Sequence, residues 1–423
     1  MVLKSVATKL AVDVSPLRES VPFRRLWIAR TILLLGVGMV AVTVPIQAFA
    51  LSGSTAVVGV VTAAEGAAFF VGFLFAGVLS DRRDRWALLQ IAQVGTIVSF
   101  AGLAVNALEF DAVWPIGVLV ALNGLSGAVG ITAMLAILPG LVEPSRFHAV
   151  GGLNTLSLRL GSLVAPVAGG SLVALVGPEW SYGLGALAAV LTFPLVRRPR
   201  GVPVPDGPAA GPGAGPVRQF VEGYRFVVRD RVVLGVMGAG VVGMVGGGSI
   251  VMIPALVQAR IGEGPAAPTV VGLTYAALAL GTVVGALSSG WVSSVVAPGR
   301  LLLLAMIVCF LFYAGAGAAP RVWLMLLLFV GAGGTNAVEE VLRYALLQQR
   351  TPEDLRGRVN SVFAAQNMSG VAVGALVAGG LGTVLEPTTA FWVYNAAMAG
   401  VAALVLAGFG ELRRHRSAEG APA

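Results

Sequence analysis

The chain has 423 residues, of which 57% are hydrophobic and only 11% charged, with a mean hydropathy of +0.88 and a formal net charge of +8. Soluble domains carry about 25% charged residues, so this chain lacks the polar groups to cover a water-facing surface, and most of that surface must meet lipid. Its basic residues sit in short stretches between apolar runs, which makes them orientation signals against anionic lipid and excludes a nucleic-acid interface.

A bilayer core about 30 Å thick takes roughly 20 apolar residues per helix. That ruler predicts an all-α membrane protein of twelve spans. They are Phe23–Ala50, Ala56–Ser80, Trp86–Ala107, Val113–Leu138, Val150–Val176, Tyr182–Val196, Val232–Val257, Pro268–Ser293, Arg300–Ala318, Val322–Leu342, Val359–Leu385 and Thr388–Phe409. The first run is too long for the core of a signal peptide, so no cleavable signal is expected.

The arginines set the orientation. Lys4, Lys9, Arg18, Arg24 and Arg25 precede the first span. Arg82, Arg83 and Arg85 follow the second, Arg146 the fourth, and Arg197 to Arg229 the sixth. Arg343, Arg350, Arg356 and Arg358 follow the tenth, and Arg413, Arg414 and Arg416 close the chain. The alternate loops hold mainly Glu109, Asp111, Glu179, Arg260, Glu263, Arg321 and Glu386. By the positive-inside rule both termini are expected in the cytoplasm.

The chain also repeats itself. Pro45 matches Pro254, 209 positions on (254 − 45), and Val58-Gly59-Val60 matches Val271-Gly272-Leu273 at 213 (272 − 59). Gly77 matches Gly290 at 213 (290 − 77), and Gly169-Gly170 matches Gly379-Gly380 at 210 (379 − 169). Near-constant offsets indicate two pseudo-symmetric six-helix halves, residues 1–198 and 231–423, joined by a linker over 199–230. Within the linker, Pro199 to Pro216 is rich in Pro, Gly and Ala and reads as flexible. After it, Phe220, Tyr224, Val227 and Val228 share one helical face, as in a helix lying on the inner membrane surface.

Two motifs carry a family resemblance. Between spans two and three, Gly77, Asp81, Arg82 and Arg85 match G-x-x-x-D-[RK]-x-G-[RK]-[RK], with Asp84 at the second glycine and Trp86 at the last basic position. In span five, Gly152, Gly161, Ala165, Pro166, Gly169 and Gly170 resemble G-x8-G-x3-G-P-x2-G-G, with Ala165 as the one departure. With these motifs the chain resembles the major facilitator superfamily, and within it the bacterial drug and siderophore exporters. The resemblance spans roughly Phe23 to Gly410 and implies two six-helix bundles, no cofactor and a place in the bacterial cytoplasmic membrane. It assigns the first motif to a cytoplasmic gate and the second to antiport. The small residues of span five would let a neighbouring helix approach backbone to backbone at the boundary between the halves, and Pro166 would bend the helix.

Charges inside hydrocarbon are costly unless they face a cavity or a partner. Glu65 stands roughly 22 Å from the inner end of span two, near the depth of transporter sites, and is the leading candidate for proton coupling. Arg159, roughly 13 Å into span five, is a candidate to neutralise Glu65 or bind an anionic substrate group. Asn123 and Asn336 are candidate cavity-lining amides. Glu339, Glu340 and Arg343 cluster late in span ten, with Glu339 about 26 Å along it and Glu339 and Arg343 at ion-pair spacing, and read as an inner-gate salt bridge. Arg30 is expected to snorkel to the headgroups. Many relatives carry an aspartate in span one, and Leu35-Gly36-Val37-Gly38 has none.

No P-loop lysine motif is present, so ATP is not the expected energy source. Two histidines and one cysteine do not make a common metal site. Nothing resembles a nucleophile elbow, so the chain does not read as an enzyme. The reading is a monomeric secondary transporter that exports a lipophilic or amphipathic small molecule by alternating access, driven by protons and in contact with membrane lipids. Its alternatives are a nutrient importer of the same fold and a transport-inactive receptor or scaffold.

Overall fold

A computed structural model describes residues 13–199, 216–353 and 355–414; Lys4, Lys9, Arg416 and most of the Pro199–Pro216 linker, with Gly77 and the side chains of Asp81 and Arg82, lie outside the described residues. The N-terminal half holds α1 (Val21–Ser52), α2 (Thr55–Arg82), α3 (Arg85–Val105), α4 (Val113–Ile137), α5 (Phe147–Val176) and α6 (Pro178–Thr192). The C-terminal half holds α7 (Arg231–Ile261), α8 (Ala267–Ser288), α9 (Pro298–Ala318), α10 (Val322–Arg350), α11 (Arg356–Val384) and α12 (Pro387–Gly408). Among the described residues, eleven of these are long and apolar enough to cross a bilayer. In α11 the described apolar stretch is Gly370–Val384.

Side chains and glycines mark the helix ends. Ser20 accepts from the Phe23 amide at 3.2 Å and starts α1, and Gly53, in the left-handed region at φ +62°, ends it. Asp230 accepts from the amides of Val232 and Val233 and starts α7. Pro254 does not sit in a continuous helix as Pro45 does. It follows a 3-10 turn at Gly248–Met252 that interrupts α7, so the two prolines occupy unlike backbone settings.

Large apolar side chains point outward along the helices, among them Phe75, Trp114, Leu175, Leu287, Val384 and Leu404. Such a surface is stable in hydrocarbon and would aggregate in water. The basic loops gather at one end of the bundle, here the basic end, and the opposite end is the far end.

The linker helix Pro216–Arg229 docks on the C-terminal half. Val227 is buried with Val233, Met237, Leu347, Val359 and Val362, and Glu222 pairs with Arg358 at 3.1 Å. Tyr224 and Val228 instead point outward together with Val221. The apolar face expected from the sequence is therefore split between a buried part and an exposed part, and Phe220 lies outside the described side chains.

Candidate functional site

The expected charged loop is mostly helix. α2 continues to Arg82, and only Arg83 and Asp84 separate it from α3. Asp84, at the position of the motif's second glycine, accepts from the Trp86 amide at 2.9 Å and caps α3. Arg85 donates to the Ala136 carbonyl at 3.1 Å, where a cation meets the negative end of α4. Both contacts lie inside the N-terminal half.

The motif of α5 serves two faces. Gly161, Ala165 and Gly169 pack on α1: a Cβ at Gly161 would sit 3.1 Å from the Leu34 carbonyl, and one at Gly169 2.7 Å from that of Met39. Pro166 and Gly170 instead face α8, where the Pro166 carbonyl abuts Gly272 and Gly170 abuts the Pro268 carbonyl. Gly152 is half-buried near the start of the helix, and α5 runs unbroken through Pro166. One part of the motif thus builds a half while the other joins the halves.

The second contact between halves repeats the first. A Cβ at Gly59 would strike the Ala375 carbonyl, and one at Gly379 would lie 2.6 Å from the Thr55 carbonyl. Gly59 and Gly272 stand 213 apart (272 − 59), and Gly170 and Gly379 stand 209 apart (379 − 170). Gly170 is therefore the partner of Gly379 in the repeat, one residue off the alignment with Gly380. Both contacts lie towards the far end.

Glu65 and Asn123 come together: the Asn123 amide donates to the Glu65 carboxylate at 3.0 Å. Each is ten residues into its helix, α2 or α4, and so about 15 Å from the far end. Gly124 permits the approach, since a Cβ there would strike the Glu65 carbonyl. Both residues line a cavity of about 260 Å³ inside the N-terminal half, which reaches past Arg30, Gln93 and Thr96 to Leu26 and Val196 near the basic end.

Arg30 corrects an expectation. It lines this cavity rather than reaching for headgroups, with its Nη1 3.1 Å from the Met134 sulfur and its buried Nε without a hydrogen-bond partner among the described residues. The spacing Leu26, Arg30, Leu33, Val37 sets it on one face of α1, and that periodicity was the available signal.

Arg159 does not pair with Glu65. It is half-buried on the α5 face that carries Pro166 and Gly170, and its guanidinium has no hydrogen-bond or ion-pair partner among the described residues. Asn336 is half-buried without a side-chain hydrogen bond to a described residue, and Glu340 is exposed. Glu339 and Arg343 approach at 3.8 Å, buried inside the C-terminal half against α7 and α11 rather than between the halves.

The Major Facilitator Superfamily model matches residues 26–317 and 266–423. An enterobactin exporter, EntS of Citrobacter koseri, is 33% identical over 410 residues, covering 96% of this chain and 95% of that protein. EntS of Salmonella typhimurium is also 33% identical, with 96% of each covered. A POT family transporter solved with 5-aminolevulinic acid superposes with a TM-score of 0.73 at 11% identity, covering 93% of this chain and 97% of that one. The nucleoside transporter NupG gives 0.69 at 12% identity, with 92% and 98% covered. The two structural likenesses show a shared fold. With its two pseudo-symmetric helical halves and a match over nearly its full length, this chain belongs to the major facilitator superfamily and is a multi-pass membrane transporter.

Proposed function

We propose that the protein exports a siderophore or a similar amphipathic small molecule across the cytoplasmic membrane in exchange for protons, with its basic end in the cytoplasm. The observation that carries the substrate and direction is the 33% identity to enterobactin exporters over 96% of the chain. The arginine-rich basic end supports the orientation.

In this reading the far end is closed by Thr55, Gly59, Ala375 and Gly379 on one side and Pro166, Gly170, Pro268 and Gly272 on the other. Substrate enters from the basic end, and Arg159 neutralises an anionic group on it, with Asn336 as a polar contact from the other half. Glu65, held by Asn123, is the coupling carboxyl. It gives its proton to the cytoplasm through the N-terminal cavity when substrate loads, and takes one from outside when substrate leaves. The segment Gly77–Arg85, with Asp81 and Arg82, forms the gate that closes the basic end, and Glu340 supplies a further charge from the other half.

Secretion tests the reading. In an iron-starved bacterium lacking its own siderophore exporter, expression is expected to restore siderophore in the medium and lower it in the cells. Unchanged secretion from cells whose membranes contain the protein would remove the substrate assignment.

A further inference from the structure

Glu339 and Arg343 are the only charged side chains buried below a tenth of their surface among the described residues, at 4% and 1% exposure. They stand one turn apart on α10, with Arg343 Nε 3.8 Å from Glu339 Oε1, too far for a hydrogen bond. Three of their atoms, Glu339 Oε1 and Arg343 Nε and Nη1, are buried without a hydrogen-bond partner among the described residues. A buried pair that only braces a bundle gains from a short, bidentate contact that satisfies these atoms. This pair is loose.

The neighbours are arranged around the two side chains. On α7, Gly240 and Gly243 leave room for them: a Cβ at Gly240 would strike Arg343 Nη1, and one at Gly243 would lie 3.2 Å from Glu339 Oε1. On α11, the ring of Phe363 lies under the guanidinium at 4.9 Å. The titratable groups facing Glu339 are Arg343 and Glu340 of α10 and Cys309 and Tyr313 of α9, with Tyr275 of α8 behind Tyr313. Among the described residues, α7 meets the pair at Gly240 and Gly243, and α11 meets it at Phe363. Arg343 is thus the one cation facing Glu339 among the described residues, and with no hydrogen bond between the two the carboxyl is left free to take up a proton.

We propose that Glu339 is a second proton-binding carboxyl, built into the C-terminal half, and that Arg343 is the positioning residue that reports its state to α11. The inference rests on the proton-exchange reading above and extends it to one titrating carboxyl in each half, Glu65 and Glu339. A proton from solution adds to the Glu339 carboxylate, the pair changes from neutral to a single positive charge, and release restores it. In the protonated state Arg343 loses its counter-charge and leans on the Phe363 face. That contact is on α11, the helix that carries Ala375 and Gly379 to Thr55 and Gly59 of the other half.

The test counts protons taken up by the purified, full-length protein on a pH step near neutrality, where exposed carboxylates stay ionised. E339Q is expected to bind one proton fewer than its parent in both wild-type and E65Q backgrounds. Equal uptake by E339Q and its parent in both backgrounds overturns the proposal, whatever E65Q does. Should E65Q match wild type while E339Q loses a proton, the Glu65 assignment fails and this one stands. If E339Q does not fold, R343K keeps the carboxyl and the positive charge, and is expected to displace the midpoint of one proton. An undisplaced midpoint marks Glu339 as a static brace and overturns the proposal.

Discussion

Thr55 donates its hydroxyl to the Gly379 carbonyl at 2.8 Å, across 324 positions of sequence and from one half of the molecule to the other. The bond is buried, and it lies beside the Gly59–Ala375 contact. Losing it costs about 1 kcal/mol net, roughly a fivefold change in a two-state balance. Thr55→Val is expected to shift molecules away from the far-end-closed state by that factor. Spin labels at Ala50→Cys and Ala259→Cys, which flank one far-end groove, report the change as a growing long-distance population. Cys309 is buried and stays unlabelled.

Adjacent glycines of α5 are expected to behave differently. Gly170→Leu drives a side chain into Pro268 and Gly272 of the other half, so the same labels move apart while the protein stays folded. Gly169→Leu overpacks α1 within one half at Met39, a change that costs about 1–3 kcal/mol, and is expected to lower the melting temperature with little change in the label distance. Equal behaviour of the two variants would contradict the division of the motif into two faces.

Glu65→Gln is expected to abolish proton-driven accumulation while expression and substrate binding persist. Asn123→Leu keeps the carboxyl but removes its hydrogen-bond donor, an interaction worth about 1–3 kcal/mol when the group is buried. It is expected to move the pH midpoint of transport without abolishing it. Wild-type coupling in Glu65→Gln would take that residue out of the site.

Arg159→Gln removes a cation with no partner among the described residues, so the fold is expected to tolerate it. A lost charge-assisted contact of about 1.4 kcal/mol corresponds to tenfold in affinity. The KM for an anionic substrate should rise by about that factor, and that for a neutral one should not. A parallel rise for both would place Arg159 outside the substrate path.

Asp84→Ala removes the cap of α3. The expected loss is about 1 kcal/mol, seen as a lower midpoint of thermal unfolding in detergent, with transport otherwise retained.

The spans were legible because hydrocarbon thickness fixes their length, and the halves because Gly59 and Gly272 keep a constant offset. What the sequence left open is mostly azimuth. Helices apolar all round do not reveal which face is buried, so Arg159 stood as a candidate to neutralise Glu65 despite its different depth, whereas rotation about α2 and α4 brings in Asn123. The same blindness merged the two faces of α5 and placed the Glu339–Arg343 pair at a gate instead of inside a bundle. Arg30 was misread for a different reason: its position near the first turn suggested snorkelling, while its place in the stripe Leu26, Leu33, Val37 pointed inward. Asp84 looked like a departure from a motif and proved to be a helix cap.

Inside-out membrane vesicles with an acidified lumen test the central claim most directly. The account predicts that they accumulate a radiolabelled siderophore, that a protonophore abolishes the accumulation, and that Glu65→Gln vesicles show none. Accumulation that ignores the protonophore would contradict proton coupling, and uptake by intact cells in its place would contradict export.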